Sequence, residues 1–178
     1  MFTEPQQRSL VAIARAAVRG SVTGGAPVIP PATDLPDASG AFVTLKKHGE
    51  LRGCIGTLEI RRPLSEEVAR VAVSAAREDP RFPPVGAAEL DELDVEVSVL
   101  GPLEPIDPLD PEAIVIGRHG LVVEQGERRG LLLPQVATEW KMDRETFLSH
   151  TCTKAGLPAD AWRRGAQVYR FAAEVFGG

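Results

Sequence analysis

Cysteine, histidine and long apolar runs are all scarce in this chain of 178 residues. Its two cysteines and three histidines form no CxxC pair and no pair of histidines four residues apart, so no metal site is predicted. No apolar run approaches the roughly 20 residues that span a bilayer, and the N-terminal residues lack the basic start and apolar core of a signal peptide. We therefore expect a cytoplasmic protein with reduced cysteines.

Cofactor-binding motifs are also missing. The sequence contains no Walker loop, GxGxxG turn, GxSxG elbow or CxxxCxxC cluster-binding pattern, so no cofactor is predicted. The formal net charge of −5 disfavours a strongly electrostatic nucleic-acid-binding protein, because phosphate neutralisation needs concentrated lysine and arginine. What remains is the composition of an ordinary globular domain, with 43% hydrophobic and 25% charged residues.

The spacing of the apolar residues predicts helices mixed with short antiparallel strands. Helices are predicted over residues 3–19, 63–77, 135–140 and 143–155, and strands over 41–47, 50–58, 93–100, 113–116, 120–125, 130–133 and 166–175. Because no regular βαβ repeat is present, we predict an α+β fold in which helices flank an antiparallel sheet.

Glycine and proline mark the expected boundaries of these elements. Gly20 is placed to end the first helix, and residues 21–40, with four prolines and three glycines, form a long irregular connection. The segment 126–130 is the predicted turn of a hairpin. Four prolines in residues 101–112 indicate a crossing between two sublobes. We expect both sublobes to belong to one compact domain that spans residues 1–178.

The segment LRGCIGT at residues 51–57 presents a thiol in an unusual setting. In a regular strand Arg52, Cys54 and Gly56 share one face, so Arg52 is expected to lie close to the Cys54 sulfur and to favour the thiolate. Gly53 and Gly56 would leave the approach to that sulfur uncrowded. The alternative is structural: the cysteine is a small apolar residue, and the glycines mark a bulge or close packing.

Polar residues of two other predicted strands extend this candidate site. Thr44 and Lys46 precede the hairpin turn at 48–49 and are expected beside Cys54. Glu96 and Ser98 occupy the polar face of the strand 93–100, which lines either a site or simply water.

The block DPRFPP at residues 79–84 holds an arginine on a stiff turn. The prolines after Phe82 fix the backbone and aim Arg81, which suits a phosphate or a carboxylate of a ligand. Equally, Phe82 anchors the turn and Arg81 pairs with a local acid such as Glu78 or Asp79.

The remaining special residues are assigned structural roles. Cys152 lies on the apolar face of its predicted helix and is expected in the core. Trp140 and Trp162 are expected to be core or edge aromatics, because a base-stacking surface usually interleaves aromatic and basic residues. The three histidines, His48, His119 and His150, are expected at the surface.

In order along the chain, several blocks resemble the AMMECR-type domain family. They are GAFVTLKK (40–47), LRGCIGT (51–57), EDPRFPPV (78–85), ELDELDVEVSVL (89–100), GRHGLVVEQGERRGLLLPQVATEW (117–140) and FLSHTCTKAGLPADAW (147–162). Bacterial and archaeal members are called protein A of the AmmeMemoRadiSam system. The resemblance implies a Memo-like protein and a radical S-adenosylmethionine (radical SAM) protein as partners. It also implies a role with a small molecule, nucleotide or RNA.

Three functions follow as hypotheses. The first is a cofactor-free protein that binds or modifies a small anionic molecule, a nucleotide or RNA in a polar pocket, by an unknown reaction that depends on a reactive cysteine. Its candidate catalytic residues are Cys54 and Arg52, and its candidate ligand-binding residues are Thr44, Lys46, Gly53, Gly56, Arg81, Glu96 and Ser98. The second is a non-catalytic interaction module that presents LRGCIGT as a rigid strand. The third, a nucleic-acid-binding protein, rests on fold analogy alone.

Overall fold

The computed structural model describes residues 2–25 and 34–177. The helices are α1 (Glu4–Thr23), α2 (Leu64–Arg77), α3 (Pro134–Glu139) and α4 (Arg144–Lys154), with short 3-10 turns at Ala87–Glu92 and Ala161–Arg163. The strands are β1 (Gly40–Lys47), β2 (Glu50–Thr57), β3 (Leu93–Leu100), β4 (Glu104–Pro105), β5 (His119–Gln125), β6 (Arg128–Leu132) and β7 (Gln167–Gly177). Antiparallel pairing of these strands, together with the helices, makes the fold α+β, as predicted.

The chain divides into two compact units at the start of the proline-rich segment. Unit 1 comprises Met1–Leu100 and Glu174–Gly178, and unit 2 comprises Gly101–Ala173. Strand β7 therefore begins in unit 2 and ends in unit 1. The assignment of residues 1–178 to one domain stays a prediction.

In unit 1, two helices cover one face of a sheet with the strand order β2-β1-β3-β7. Helix α1 packs on α2 and β3, and α2 packs on β1 and β2. The inward side chains alternate along the strands, which is the pattern expected when one face of a sheet is buried. They form a core with the helices that includes Ile13, Ala17, Val43, Leu45, Val68, Ala72, Val95 and Val97.

In unit 2, β5 pairs with both β6 and β7, and β4 pairs with β7. Helix α4 packs on β5 and β6, and Gly130 allows the closest approach, since a Cβ atom there would collide with the backbone of Ala155. The core contains Leu121, Val123, Phe147, Leu148, Cys152, Trp162 and Val168. The predicted core positions of Cys152 and Trp162 are confirmed.

Three predictions about secondary structure are wrong. Helix α1 continues through Gly20 to Thr23, because it is Gly24 that adopts the left-handed conformation, at φ 80°, and donates its N–H to the Gly20 carbonyl oxygen. Residues 113–116 form no strand. The turn between β5 and β6 occupies residues 126–127, and Gly130 lies within β6. Of the predicted connection 21–40, residues 26–33 lie outside the described residues.

Within the described part of the chain, no helix has the length and apolar character needed to cross a membrane. Residues 2–25 and 34–177 also contain no group of three or more histidine, cysteine, aspartate or glutamate side chains arranged to hold a metal ion.

Candidate functional site

The edge of strand β2 is covered by side chains from residues 79–81. The Cys54 N–H donates to Asp79 Oδ2 at 3.0 Å, and Arg81 Nη2 donates to the Cys54 carbonyl oxygen at 3.4 Å. An edge strand otherwise exposes such backbone groups to other chains. The motif DPRFPP therefore closes the outer edge of LRGCIGT exactly where the cysteine lies, and the two motifs form one structure.

Asp79 is the buried centre of this closure, with only 4% of its surface exposed. Its carboxylate accepts hydrogen bonds from the Arg81 N–H and Nε, each at 3.0 Å, and from Nη2 at 2.8 Å. The Arg81 guanidinium holds the pKa of the Asp79 carboxyl well below its usual range, and the Cys54 N–H acts in the same direction. The alternative in which Arg81 pairs with Asp79 is thus the one observed.

Arg52 is bound in a similar way, by Glu89 from the first 3-10 turn. Its Nε donates to Glu89 Oε1 at 3.0 Å and its Nη2 to Oε2 at 3.1 Å. Glu89 also accepts from the Gly86 N–H at 2.9 Å and from Lys47 Nζ at 3.2 Å. These donors, with Arg52 first, lower the pKa of the Glu89 carboxyl to about 2.

A bulge interrupts the pairing of β2 at Arg52. Thr44 pairs with Cys54 and Leu45 with Gly53, but Lys46 pairs with Leu51, so Arg52 has no partner on β1. The predicted position of Arg52 beside the Cys54 sulfur requires an uninterrupted strand, and the extra residue breaks that alternation. The side-chain hydrogen bonds of Arg52 go to Glu89 instead, and its buried Nη1 atom has no partner among the described residues.

Phe82 lies beneath both arginines. The Cζ atom of Arg52 is 5.9 Å from the centre of the Phe82 ring, and that of Arg81 is 5.6 Å away. Both distances allow a cation–π attraction. The expectation that Phe82 anchors this turn is consistent with these contacts, and the two guanidiniums share one aromatic support.

The open face of the unit 1 sheet collects most of the other predicted site residues. In register across the sheet, Thr44 lies between Cys54 and Glu96, and Phe42 lies between Gly56 and Ser98. Because Val43 and Leu45 face the helices, their neighbours in β1 face the other way. We call the side chains of Thr44, Lys46, Cys54, Glu96 and Ser98 the Cys54 face.

Two contacts organise the Cys54 face. The Thr44 hydroxyl lies 3.2 Å from the Cys54 sulfur, and either group can donate. The backbone bonds of Cys54 to Asp79 and Arg81 point away from β1, and side chains of such a non-hydrogen-bonded pair approach most closely. Next to this pair, Lys46 Nζ binds Glu96 Oε1 at 3.0 Å, with 38% and 31% of the two side chains exposed. Ser98 is more buried, at 6% exposure.

The two glycines of LRGCIGT serve packing. A Cβ atom on Gly53 would collide with the Ala75 carbonyl oxygen at the end of α2, on the face away from the thiol. On Gly56 it would collide with the Phe42 ring, which lies over this position. The expectation that Gly53 clears the approach to sulfur is therefore wrong, and the close-packing alternative describes both residues.

Sequence reasoning missed Glu89 and Phe42 altogether. The signal for Glu89 is its place three residues after Gly86 at the start of a helical turn, where a glutamate commonly returns to bind the backbone. The signal for Phe42 is an aromatic residue in register with a strand glycine, but that register depends on the bulge.

The comparisons with known proteins agree with this fold. The AMMECR1 family profile matches residues 11–176. A protein of Methanothermobacter thermautotrophicus is 52% identical over 98% of this chain and 95% of its own length, and one of Methanosarcina acetivorans is 47% identical over 99% and 93%. This chain therefore belongs to the AMMECR1 family.

A solved structure shares the architecture. The crystal structure of the uncharacterised protein PH0010 from Pyrococcus horikoshii matches with a TM-score of 0.84 at 44% sequence identity, over 99% of this chain and 93% of that protein. The predicted AMMECR-type resemblance is thus confirmed in sequence and in fold.

Proposed function

We propose that the Cys54 face binds a small anionic molecule, with Cys54 as its reactive group. The observation that carries this proposal is the contact of 3.2 Å between the Cys54 sulfur and the Thr44 hydroxyl, next to the Lys46–Glu96 ion pair. A thiol, a hydroxyl, an ammonium and a carboxylate then share one partly exposed sheet face. Such a set can bind, orient and attack a polar substrate.

Each residue has a distinct part in this proposal. Cys54 supplies the nucleophile, and the Thr44 hydroxyl orients the thiol or donates to the thiolate. Lys46 is the cation that attracts the anionic group, and Glu96 holds the ammonium in position. The backbone of Cys54 is itself fixed by Asp79 and Arg81, so the sulfur rests on a stiff support.

Lys46 replaces the two arginines as the proposed anion-binding group. Arg52 is bound to Glu89 through two nitrogens, and Arg81 is bound to the buried Asp79. Moving either guanidinium to a ligand would leave a desolvated carboxylate without its main partner, which is costly. The side chain of Lys46 is more exposed than that of Arg52, and its ammonium has one carboxylate partner that a ligand can share.

A protection experiment tests the proposal. Thermal-shift titration tests whether pyrophosphate binds, and bound pyrophosphate should then slow alkylation of Cys54 by iodoacetamide. Lys46→Met should weaken binding by roughly tenfold, because a charge-assisted contact is lost. Arg164→Met, which removes an exposed, ion-paired cation of unit 2 outside this face, is the matched control and should bind as the wild type does. Binding that survives Lys46→Met without protecting Cys54 would reject the site.

The second candidate is an interaction module, and the engagement of both arginines by internal carboxylates favours it. A strand whose edge is closed by Asp79 and Arg81 is a rigid surface, and Leu51 at its start is 42% exposed. The implied partners are the Memo-like and radical SAM proteins. If no anion binds and Cys54 is unreactive, sedimentation of the chain mixed with each purified partner becomes the deciding measurement, with Leu51→Glu expected to abolish association.

A further inference from the structure

An exposed tryptophan borders a cavity in unit 2 that the proposed function does not use. Trp140 is 74% exposed, although a tryptophan side chain is usually largely buried. The expectation of a core or edge position is therefore wrong for this residue. The cavity beside it has a volume of about 620 Å³, within the roughly 300–1,000 Å³ that is typical of small-molecule sites.

The lining of this cavity combines apolar and polar side chains. Leu132 of β6, Val136 of α3, Met142 and the Trp140 indole are its apolar residues. His150, Thr153 and Lys154 of α4 are its polar residues. We call these seven residues the Trp140 groove.

The end of α3 holds Trp140 in place. The Trp140 N–H donates to the Val136 carbonyl oxygen at 3.1 Å, and the Met142 N–H donates to the Ala137 carbonyl oxygen at 2.8 Å. Between them Lys141 adopts a left-handed conformation at φ 51°, which is uncommon for a residue other than glycine. The backbone that carries the indole and the Met142 thioether is thus closed by its own hydrogen bonds.

The groove carries a positive charge that no acidic residue of its lining balances. Its lining contains a lysine and a histidine and no carboxylate. Within residues 2–25 and 34–177, Lys154 forms no ion pair, whereas Lys46 and Lys47 are each paired. An unpaired ammonium and an exposed indole that line one cavity, in a protein of net charge −5, are complementary to a ligand that is aromatic and anionic.

From these observations we propose that the Trp140 groove binds a small ligand with an aromatic ring system and one anionic group. The ring system packs on the Trp140 indole and against Val136 and Met142, and the anionic group lies at Lys154. Stacking on an exposed aromatic side chain tolerates many ring systems, while the ammonium selects the charge. This site is independent of the Cys54 face, since all seven residues belong to unit 2.

Two probes that differ by one charged group test this proposal. They are 8-anilino-1-naphthalenesulfonate and N-phenyl-1-naphthylamine, which has a similar aromatic framework without the sulfonate. Fluorescence titration of the full chain should show one sulfonate bound per protein. Trp140→Ala should weaken binding of both probes by about tenfold, as expected for loss of a stacking surface.

Charge selection gives the second readout. Lys154→Met should weaken binding of the sulfonate probe and leave the affinity of the neutral probe unchanged. The expected loss is only about fivefold, because an exposed charge pair is partly screened. Arg164→Met, which removes an exposed, ion-paired cation of unit 2 outside the groove, is the matched control and should change neither affinity. The proposal is overturned if Trp140→Ala leaves both affinities unchanged, or if Lys154→Met affects the two probes equally.

Discussion

The two cysteines show how surroundings give one residue type two roles. Cys152 is completely buried on α4, and burial raises the pKa of its thiol. Cys54 is half-buried on an edge strand, with the Thr44 hydroxyl at its sulfur. The buried thiol acts as a small apolar side chain, and the other is placed where a reagent or ligand can meet it.

This difference predicts unequal losses of stability from the same substitution. Cys152→Ala should reduce the free energy of unfolding by about 1–2 kcal/mol, because it leaves a small cavity in the core of unit 2. Cys54→Ala should reduce it by less than about 1 kcal/mol. Urea unfolding followed by circular dichroism measures both changes. A larger loss for Cys54→Ala than for Cys152→Ala would show that Cys54 is chiefly a packing residue.

At the scale of elements, β2 is fixed by neighbours on three sides. Strand β1 pairs with it along its length, the end of α2 lies against Gly53, and the Asp79 and Arg81 side chains close its outer edge. An edge strand held in this way resists pairing with other chains. The same contacts hold the bulge at Arg52 and the backbone of Cys54 in place.

The close approach of α2 makes Gly53 sensitive to any side chain. Gly53→Ala should lower the free energy of unfolding by about 2–4 kcal/mol, because the new methyl group collides with the Ala75 carbonyl oxygen and the backbone must move. Gly86→Ala is the matched control, since a Cβ atom there meets only the end of the flexible Glu89 side chain, at 3.9 Å. It should stay within about 1 kcal/mol of the wild type. Equal effects would argue against this packing.

At the scale of the whole molecule, the acidic chain uses its internal carboxylates to organise cations. Glu89 binds Arg52 and Lys47, and Asp79 binds Arg81. Both carboxyl groups have a pKa below the ordinary value, because the bound cations favour the charged form. Their stabilisation is therefore complete above about pH 5, where the carboxyls of the unfolded chain are also ionised, and is lost as the pH falls.

Acid should accordingly destabilise the protein through these groups. Between pH 5 and pH 2 the unfolded chain takes up protons before the folded Glu89, whose pKa is about 2, so the free energy of unfolding falls. The Glu89 share is at most on the order of 3 kcal/mol. Urea unfolding at a series of pH values should show a shallower decline for Glu89→Gln than for the wild type. Parallel curves would mean that Glu89 does not contribute to the acid dependence.

Local patterns in the sequence were sufficient for much of the fold. Period-two alternation predicted β3 at its observed bounds, and helical spacing placed α2 and α4 within one residue at each end. Asp143 was a recognisable N-cap, and its side chain accepts from the Thr146 N–H. The sequence offers both Gly20 and Gly24 as possible ends of α1. Only the backbone conformation shows that Gly24 ends the helix.

The same distinction between local sequence and tertiary structure applies to the candidate site. The sequence alone determined that Cys54 lies on a hairpin strand between glycines, that Thr44 and Lys46 lie on the partner strand, and that DPRFPP forms a stiff turn, because these are properties of short segments. Tertiary structure decided that the turn closes the edge of β2 and that Glu89 binds Arg52. Such contacts join residues 25 to 37 positions apart, and the bulge at Arg52 changes the strand register in a way that alternation along the sequence does not show.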